Sequence, residues 1–310
     1  MLEEPIIKNV NGLQFSIMSP EEIRKVSVVE ITKNDTYDKD IPVIKGLFDL
    51  RMGTTDMGKV CNTCGLKNTE CPGHFGHLEL AKPVYYYHYI DIVIKVLKCV
   101  CFSCGKLLID PNNINIQNLG EQKNKSRWEE IYNLCSKVNR CGHETEGGCG
   151  CKQPDRYKLD GINGIQVFWK DSEENTVTKQ YISAEYVKGL FERITDQDCN
   201  ILGFSTTWCR PEWLICTVLP VAPPTVRPSV KQDNNQRMED DLTHKYCDII
   251  KTNRALKQKI ESNSSQKTIN EWEQLLQYHI ATLIDNQIPG IPPAQQRSGR
   301  PLKSIKERLR

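Results

Sequence analysis

The sequence predicts an α+β fold: an irregular, cysteine-rich segment set among short strands, followed by a long antiparallel helical hairpin. Three observations carry the prediction. Of fourteen cysteines, ten fall between Cys61 and Cys151. Two heptad-like apolar seams with a polar connector between them occupy residues 242–283. Short runs of alternating apolar and polar residues mark strands before them. The 310 residues are 38% hydrophobic and 26% charged, with a net charge of +2. That suits one large globular domain or two ordinary ones and excludes wholesale disorder.

Two further classes are set aside. The most apolar stretch, residues 85–102, is broken by His88, Asp91, Lys95 and Lys98, which a bilayer centre rejects, so no membrane partner is expected. The opening residues carry two acids and no apolar core, so no signal peptide is expected. A secreted disulfide scaffold would be shorter and denser in cysteine. A reducing compartment and metal ligation are therefore the starting expectation.

Residues 1–60 read as a lead-in segment. Residues 13–18 (Leu-Gln-Phe-Ser-Ile-Met) alternate like a half-buried strand. Ser19-Pro20-Glu21-Glu22 spells a helix start, with Ser19 as N-cap and Pro20 at the first helical position. Residues 61–151 form the cysteine-rich region, in which residues 84–97 are long and apolar enough for a buried helix. Residues 152–230 read as mixed α/β, with a strand over 164–169 and an amphipathic helix over 183–194. Pro211, Pro220, Pro223, Pro224 and Pro228 then fall within eighteen residues. That density excludes a regular helix or a central strand and leaves a linker or, given the interleaved apolar residues, an ordered, extended loop at a functional edge.

Residues 231–288 hold the hairpin. Leu242, Tyr246, Ile249, Asn253, Leu256 and Ile260 form one seam, and Ile269, Trp272, Leu276, His279 and Leu283 the other. Thr268-Ile269-Asn270-Glu271 has capping-box form and is expected to open the second helix. His279 lies within its seam and reads as a packing or hydrogen-bonding histidine, not a ligand.

The chemistry lies in the cysteines. Cys61-x-x-Cys64-Gly65 is followed by Cys71-x-x-His74, four soft or borderline donors within fourteen residues. Ligands two residues apart reach one ion only through a tight turn, and the glycine after the second cysteine permits it. Three sulfurs and one nitrogen match a closed, structural tetrahedral Zn²⁺ site. His77 is a spare that could replace His74, which ranks first because it repeats the spacing of the first pair. Cys101-x-x-Cys104-Gly105 repeats the knuckle. Its remaining ligands must come from Cys135, Cys141, His143, Cys149 and Cys151, and spacing alone does not choose among them. Cys99, Cys199, Cys209, Cys216 and Cys247 read as packing thiols. A cross-braced RING arrangement is excluded because the first four ligands are self-sufficient.

Residues 289–310 form a basic end. From residue 287 onward the chain carries Arg297, Arg300, Lys303, Lys306, Arg308 and Arg310 against Glu307, a net +5. The remainder must therefore total −3. Such asymmetry points to nucleic-acid phosphate, with a solvated charge run as the alternative.

Several literal runs carry a resemblance. They are Cys61-Asn-Thr-Cys64-Gly65 through Cys71-Pro-Gly-His74-Phe-Gly-His77-Leu-Glu-Leu-Ala-Lys-Pro83, then Cys101-Phe-Ser-Cys104-Gly-Lys-Leu-Leu-Ile-Asp110 and Arg210-Pro-Glu-Trp213. Val218-Leu-Pro-Val-Ala-Pro-Pro-Thr-Val-Arg-Pro228 and Ser298-Gly-Arg-Pro-Leu-Lys-Ser304 complete the set. In this order the chain resembles the N-terminal, clamp-forming region of the largest subunit of eukaryotic-type DNA-directed RNA polymerase II. The resemblance implies an irregular two-zinc clamp module whose hairpin is the clamp coiled coil. It implies a grip on template DNA and the RNA–DNA hybrid, and docking of transcription factors on the hairpin. The lid is expected between the proline-rich stretch and the hairpin, and the rudder is expected to begin around 289–298. In family position the second zinc takes Cys101, Cys104, Cys141 and Cys149, with Cys151 as rival to Cys149.

The family's catalytic Asn-Ala-Asp-Phe-Asp-Gly-Asp run is absent from residues 1–310. Catalysis, and the Mg²⁺ that serves it, are therefore expected only in the assembled polymerase, with this chain as a fragment or split product inactive in isolation. Its partners would be the remaining largest-subunit chain, the second-largest subunit and other subunits. An intracellular location is expected: the nucleus for a cellular source, or the virion or infected cell for a large DNA virus, at which the Asn/Lys/Ile-rich spelling hints. The alternatives are a free-standing zinc-stabilised nucleic-acid-binding protein and a zinc scaffold that binds only protein.

Overall fold

The computed structural model describes residues 11–13, 15–110, 124–142, 147–162, 164–170, 176–232 and 237–309. His143 and Arg310 lie outside the described residues, as does Gln14 within the first expected strand. Helix α1 (Pro20–Val26) opens with the expected reciprocal cap: Ser19 Oγ accepts the Glu22 N–H at 3.1 Å, and Glu22 accepts the Ser19 N–H at 2.8 Å. The strand expected before it does not form among the described residues. Leu13 and Phe15 are 79% and 93% exposed, and no neighbouring strand pairs with them. Alternation without a partner ladder does not make a strand.

After the small pair β1 (Tyr37–Asp38) and β2 (Ile41–Pro42), the principal ladder joins β3 (Gly76–Tyr85) to β7 (Ile215–Val221), antiparallel from Gly76↔Val221 to Tyr85↔Ile215. The proline-rich stretch is thus partly a strand and not wholly a loop. Pro220 is tolerated because its carbonyl accepts from Tyr246 Oη at 3.3 Å on the side away from β3. A residue's N and C=O point the same way across a ladder, so the missing N–H also faces that outer edge.

The helix expected at 84–97 starts later. Val84 and Tyr85 remain in β3, a 3₁₀ turn follows at Tyr87–Tyr89, and α2 runs Ile90–Cys99. Gln277 holds the Tyr85 main chain in place, accepting its N–H at 2.7 Å and donating to its carbonyl at 2.8 Å. Then come α3 (Asn124–Cys135) and the antiparallel meander β4 (Arg156–Leu159), β5 (Ile165–Lys170) and β6 (Val177–Ile182). Helix α4 (Ala184–Phe191), capped by Ser183, and α5 (Asp196–Ile201), capped by Thr195, complete this half. Their apolar faces form one core around Val96, Leu97, Ile131, Val167 and Phe191.

A second core gathers Ile31, Leu47, Phe48, Met52, Leu78 and Val221 with the two long helices. Alternation along β3 divides its last residues between the cores, Val84 facing one and Tyr85 the other. The pair β8 (Val230–Lys231) and β9 (Arg237–Met238) leads into α6 (Asp241–Glu261), followed across residues 262–265 by α7 (Gln266–Ile284). These helices pack on each other and on β3: the Asn253 amide donates to Glu79 O and accepts from Ala81 N–H, both at 2.8 Å. The α7 cap is Ser265, three residues before the expected Thr268, whose N–H donates to Ser265 Oγ at 3.3 Å. The short α8 (Ile305–Arg308) closes the described chain. No helix among the described residues is long and apolar enough to cross a membrane.

Candidate metal centres and the basic C-terminal segment

Two knuckles fold alike because their backbones close the same hydrogen bonds. Cys61 N–H donates to Leu66 O at 3.0 Å and Gly65 N–H to Cys61 O at 2.9 Å. Cys101 N–H donates to Lys106 O at 2.8 Å and Gly105 N–H to Cys101 O at 2.9 Å. Gly65 and Gly105 have φ of 71° and 78°, which a side chain would strain. Two residues past each first cysteine, Thr63 and Ser103 aim their N–H groups at the sulfur, both at 3.4 Å.

The first knuckle is completed by Cys71 and His74, so that the four donor atoms of Cys61, Cys64, Cys71 and His74 lie within 4.8 Å of one another. Cys64 Sγ is 3.5 Å from Cys71 Sγ, and Cys71 Sγ is 3.7 Å from His74 Nε2. The second core anchors this cluster: His74 N–H donates to Met52 O and Thr63 Oγ1 to Arg51 O. His77 is directed elsewhere, its Nδ1 2.7 Å from Ser27 Oγ.

The second knuckle meets Cys141 and Cys149, and these four sulfurs also lie within 4.8 Å of one another. Cys101–Cys149 is 3.5 Å and Cys104–Cys141 is 3.7 Å, sulfur to sulfur. The loop can wrap this closely because a Cβ on Gly148 would sit 2.2 Å from Gly142 Cα. Cys135 is buried in the first core outside the cluster, and Cys151 is exposed beside it. Ligand spacing alone does not exclude either residue.

Zn–S bonds of about 2.3 Å place tetrahedral sulfurs about 3.8 Å apart, so both clusters have nearly the dimensions of such a site. Thiolate and imidazole donors suit zinc and disfavour Mg²⁺ or Ca²⁺. Burial pushes the Cys71 thiol up to about 11 and the Cys141 thiol up to about 12. The Cys151 backbone N–H holds Cys149 down to about 6, and N–H groups of Cys64 and Thr63 outweigh burial at Cys61 and lower it. Thiols so crowded cannot all ionise unaided, and a divalent cation bound among them would supply the missing charge.

A family model described as RNA polymerase Rpb1, domain 1, matches residues 7–310. The chain belongs to that family. The resemblance of its motifs to the largest polymerase subunit is thereby borne out. DNA-directed RNA polymerase subunit Rpo1N of Methanocaldococcus jannaschii is 42% identical over 316 residues, a match covering 98% of this chain and 22% of that protein. The chain therefore spans about a fifth of this relative's length.

The basic segment of this Rpb1-family chain is engaged with its own acids. Arg300 pairs with Asp241 at 3.0 Å, Lys306 with Asp285 and Arg308 with Asp240. Lys303 is exposed and gives its backbone N–H to Asp241 at 3.0 Å, and Arg297 is exposed beside a cleft of about 730 Å³ lined also by Tyr37, His244 and Lys251. The sequence reading did not find these carboxylate partners, since Asp241 and Asp240 lie 59 and 68 residues from Arg300 and Arg308. It also missed Gln153, which donates to Cys101 Sγ at 3.2 Å. Nothing in a local pattern distinguishes such a buried amide from a surface one.

Proposed function

We propose that this chain is the clamp part of the largest subunit of a multisubunit DNA-directed RNA polymerase, stapled by two structural zinc ions. Cys61, Cys64, Cys71 and His74 hold one ion, and Cys101, Cys104, Cys141 and Cys149 the other. The observation that carries the reading is the family match over residues 7–310, on a chain with two complete four-donor clusters. Each ion ties an irregular loop to a different core, giving rigidity where regular structure is scarce.

In this reading α6 and α7 are the antiparallel clamp coiled coil on which transcription factors dock. The β8–β9 segment is the lid, and the loop from 289 begins the rudder. Arg297 and Lys303 offer their charge to template or hybrid phosphate, while Arg300, Lys306 and Arg308 secure the segment that presents them. Phosphoryl transfer and its Mg²⁺ belong to the assembled enzyme, and this chain supplies grip and docking.

Reconstitution tests the reading. Combined with the remaining polymerase subunits, the chain is expected to restore template-directed RNA synthesis that its omission abolishes. Synthesis at the same level without it would refute the assignment.

A further inference from the structure

We propose that Gln153 is a positioning residue of the second metal centre, tying the Cys101 thiolate to the turn at 149–151 so that Cys149, and not Cys151, closes the site. The inference rests on the reading of that cluster as a zinc centre.

Gln153 is 7% exposed. Its Nε2 donates twice, to Cys101 Sγ at 3.2 Å and to Cys151 O at 3.0 Å, and its Oε1 accepts the Phe102 N–H at 2.8 Å. Its own N–H is held by Asn139 O at 2.8 Å. A flipped amide would set its oxygen against a sulfur and a carbonyl, and its NH₂ against an N–H. Only one orientation satisfies every partner.

That orientation bridges parts of the chain about fifty residues apart (52 between Cys101 and Gln153). On one side lies the knuckle; on the other, the Cys151 carbonyl, which also takes the Cys141 N–H at 3.0 Å. With its carbonyl held by two donors, the main chain at Cys151 cannot turn its thiol to the ion without losing both. Cys149 is left 3.5 Å from Cys101 Sγ. Electrostatics favour the same device. Four thiolates make this centre one charge more negative than three thiolates and an imidazole, and an N–H donor at sulfur offsets part of that excess.

The test uses the full chain loaded with zinc, or with Co²⁺ as a spectroscopic probe. Release of metal to a chelating dye should show two phases, assigned with Cys64→Ser and Cys104→Ser. Gln153→Met keeps the volume and removes the donors, while Gln153→Glu keeps an acceptor for Phe102 and sets a carboxylate against the sulfur. Each is expected to speed release from the second centre by about 10–100-fold and leave the first unchanged. In the parent chain, Cys149→Ser should weaken the thiolate-to-cobalt charge-transfer band and Cys151→Ser should not. In Gln153→Met, Cys151→Ser should begin to weaken it. Unchanged release in both Gln153 variants would overturn the inference, as would equal spectral losses from Cys151→Ser and Cys149→Ser in the parent. Should the Gln153 variants unfold, the parent-chain comparison still decides. If Cys104→Ser removes no metal, the zinc reading of this cluster fails first.

Discussion

Arg300 pairs with Asp241 across 59 residues of sequence, at 3.0 Å, which fixes the basic C-terminal segment to the first turn of α6. Asp241 is buried and also accepts the Gln296 side-chain amide at 2.6 Å and the Lys303 backbone N–H at 3.0 Å. Burial raises this carboxyl, but the four hydrogen bonds from Lys303, Gln296 and Arg300 prevail and hold it below the usual range. Part of the +5 charge seen in the sequence is thus spent inside the molecule.

Nucleic-acid binding should reflect that division. Replacing Arg297 and Lys303 together by Ala should lower the salt slope of affinity by up to about two, near 0.9 per phosphate contact. Arg300→Ala should lower it by less than about one, because its charge already faces Asp241. Filter-binding titrations across salt concentrations check this, and equal effects of Arg300 and Lys303 would contradict the division.

Stability should rise with pH in two windows because of Lys245 and His279, whose Nζ and Nδ1 are 3.2 Å apart. Burial lowers Lys245 to about 8, with Asp248 opposing, and burial followed by Lys245 lowers His279 to about 4. Besides Asp248, Tyr278 faces them, its ring 5.3 Å from Nζ. Between each folded value and the ordinary one, 10.5 for Lys and 6.5 for His, the unfolded chain binds more protons. Unfolding free energy should therefore climb from about pH 4 to 6.5 and again from about 8 to 10.5. Lys245→Met should add about 1–3 kcal/mol at pH 7 and abolish the upper climb in urea unfolding. A loss of stability at pH 7 would contradict this.

Arg227 should tolerate no replacement. It is wholly buried, donating to Ala222 O at 2.8 Å, Thr243 Oγ1 at 3.3 Å and Leu47 O, with Phe48 and Tyr246 rings 5.1 and 5.6 Å away. A lysine cannot reach three diverging acceptors, so Arg227→Lys should cost on the order of 2–4 kcal/mol in denaturant unfolding. A cost below about 0.5 kcal/mol would show the fork to be dispensable.

What could be read in advance follows the range of each interaction. The first metal cluster was legible because its four donors are local. The second was half legible from spacing, since Cys104 and Cys141 are 37 residues apart; the family resemblance implied the set with Cys141 and Cys149 that the folded loop brings together. The cap at Ser19 was readable for the same local reason. The strand at Pro220 was not, because its tolerance depends on Tyr246, 26 residues away. Arg227 stood within a recognisable run, yet its burial against Leu47 is a contact over 180 residues.

Cys71→Ser should remove the metal of the first centre and leave the second occupied, so that analysis falls from two zinc ions per chain to one. The segment from Cys61 to His74 should loosen, since structural zinc supplies about 10–16 kcal/mol of apparent binding energy in small sites. Two ions retained with an unchanged melting temperature would mean that this cluster is not a metal centre.

Purification of the tagged chain from its native source, with mass spectrometry of what travels with it, tests the central claim most directly. The account predicts a stoichiometric complex containing the second-largest polymerase subunit and a polypeptide bearing the Asn-Ala-Asp-Phe-Asp-Gly-Asp run. A chain that purifies alone, binding nucleic acid tightly without those subunits, would contradict it.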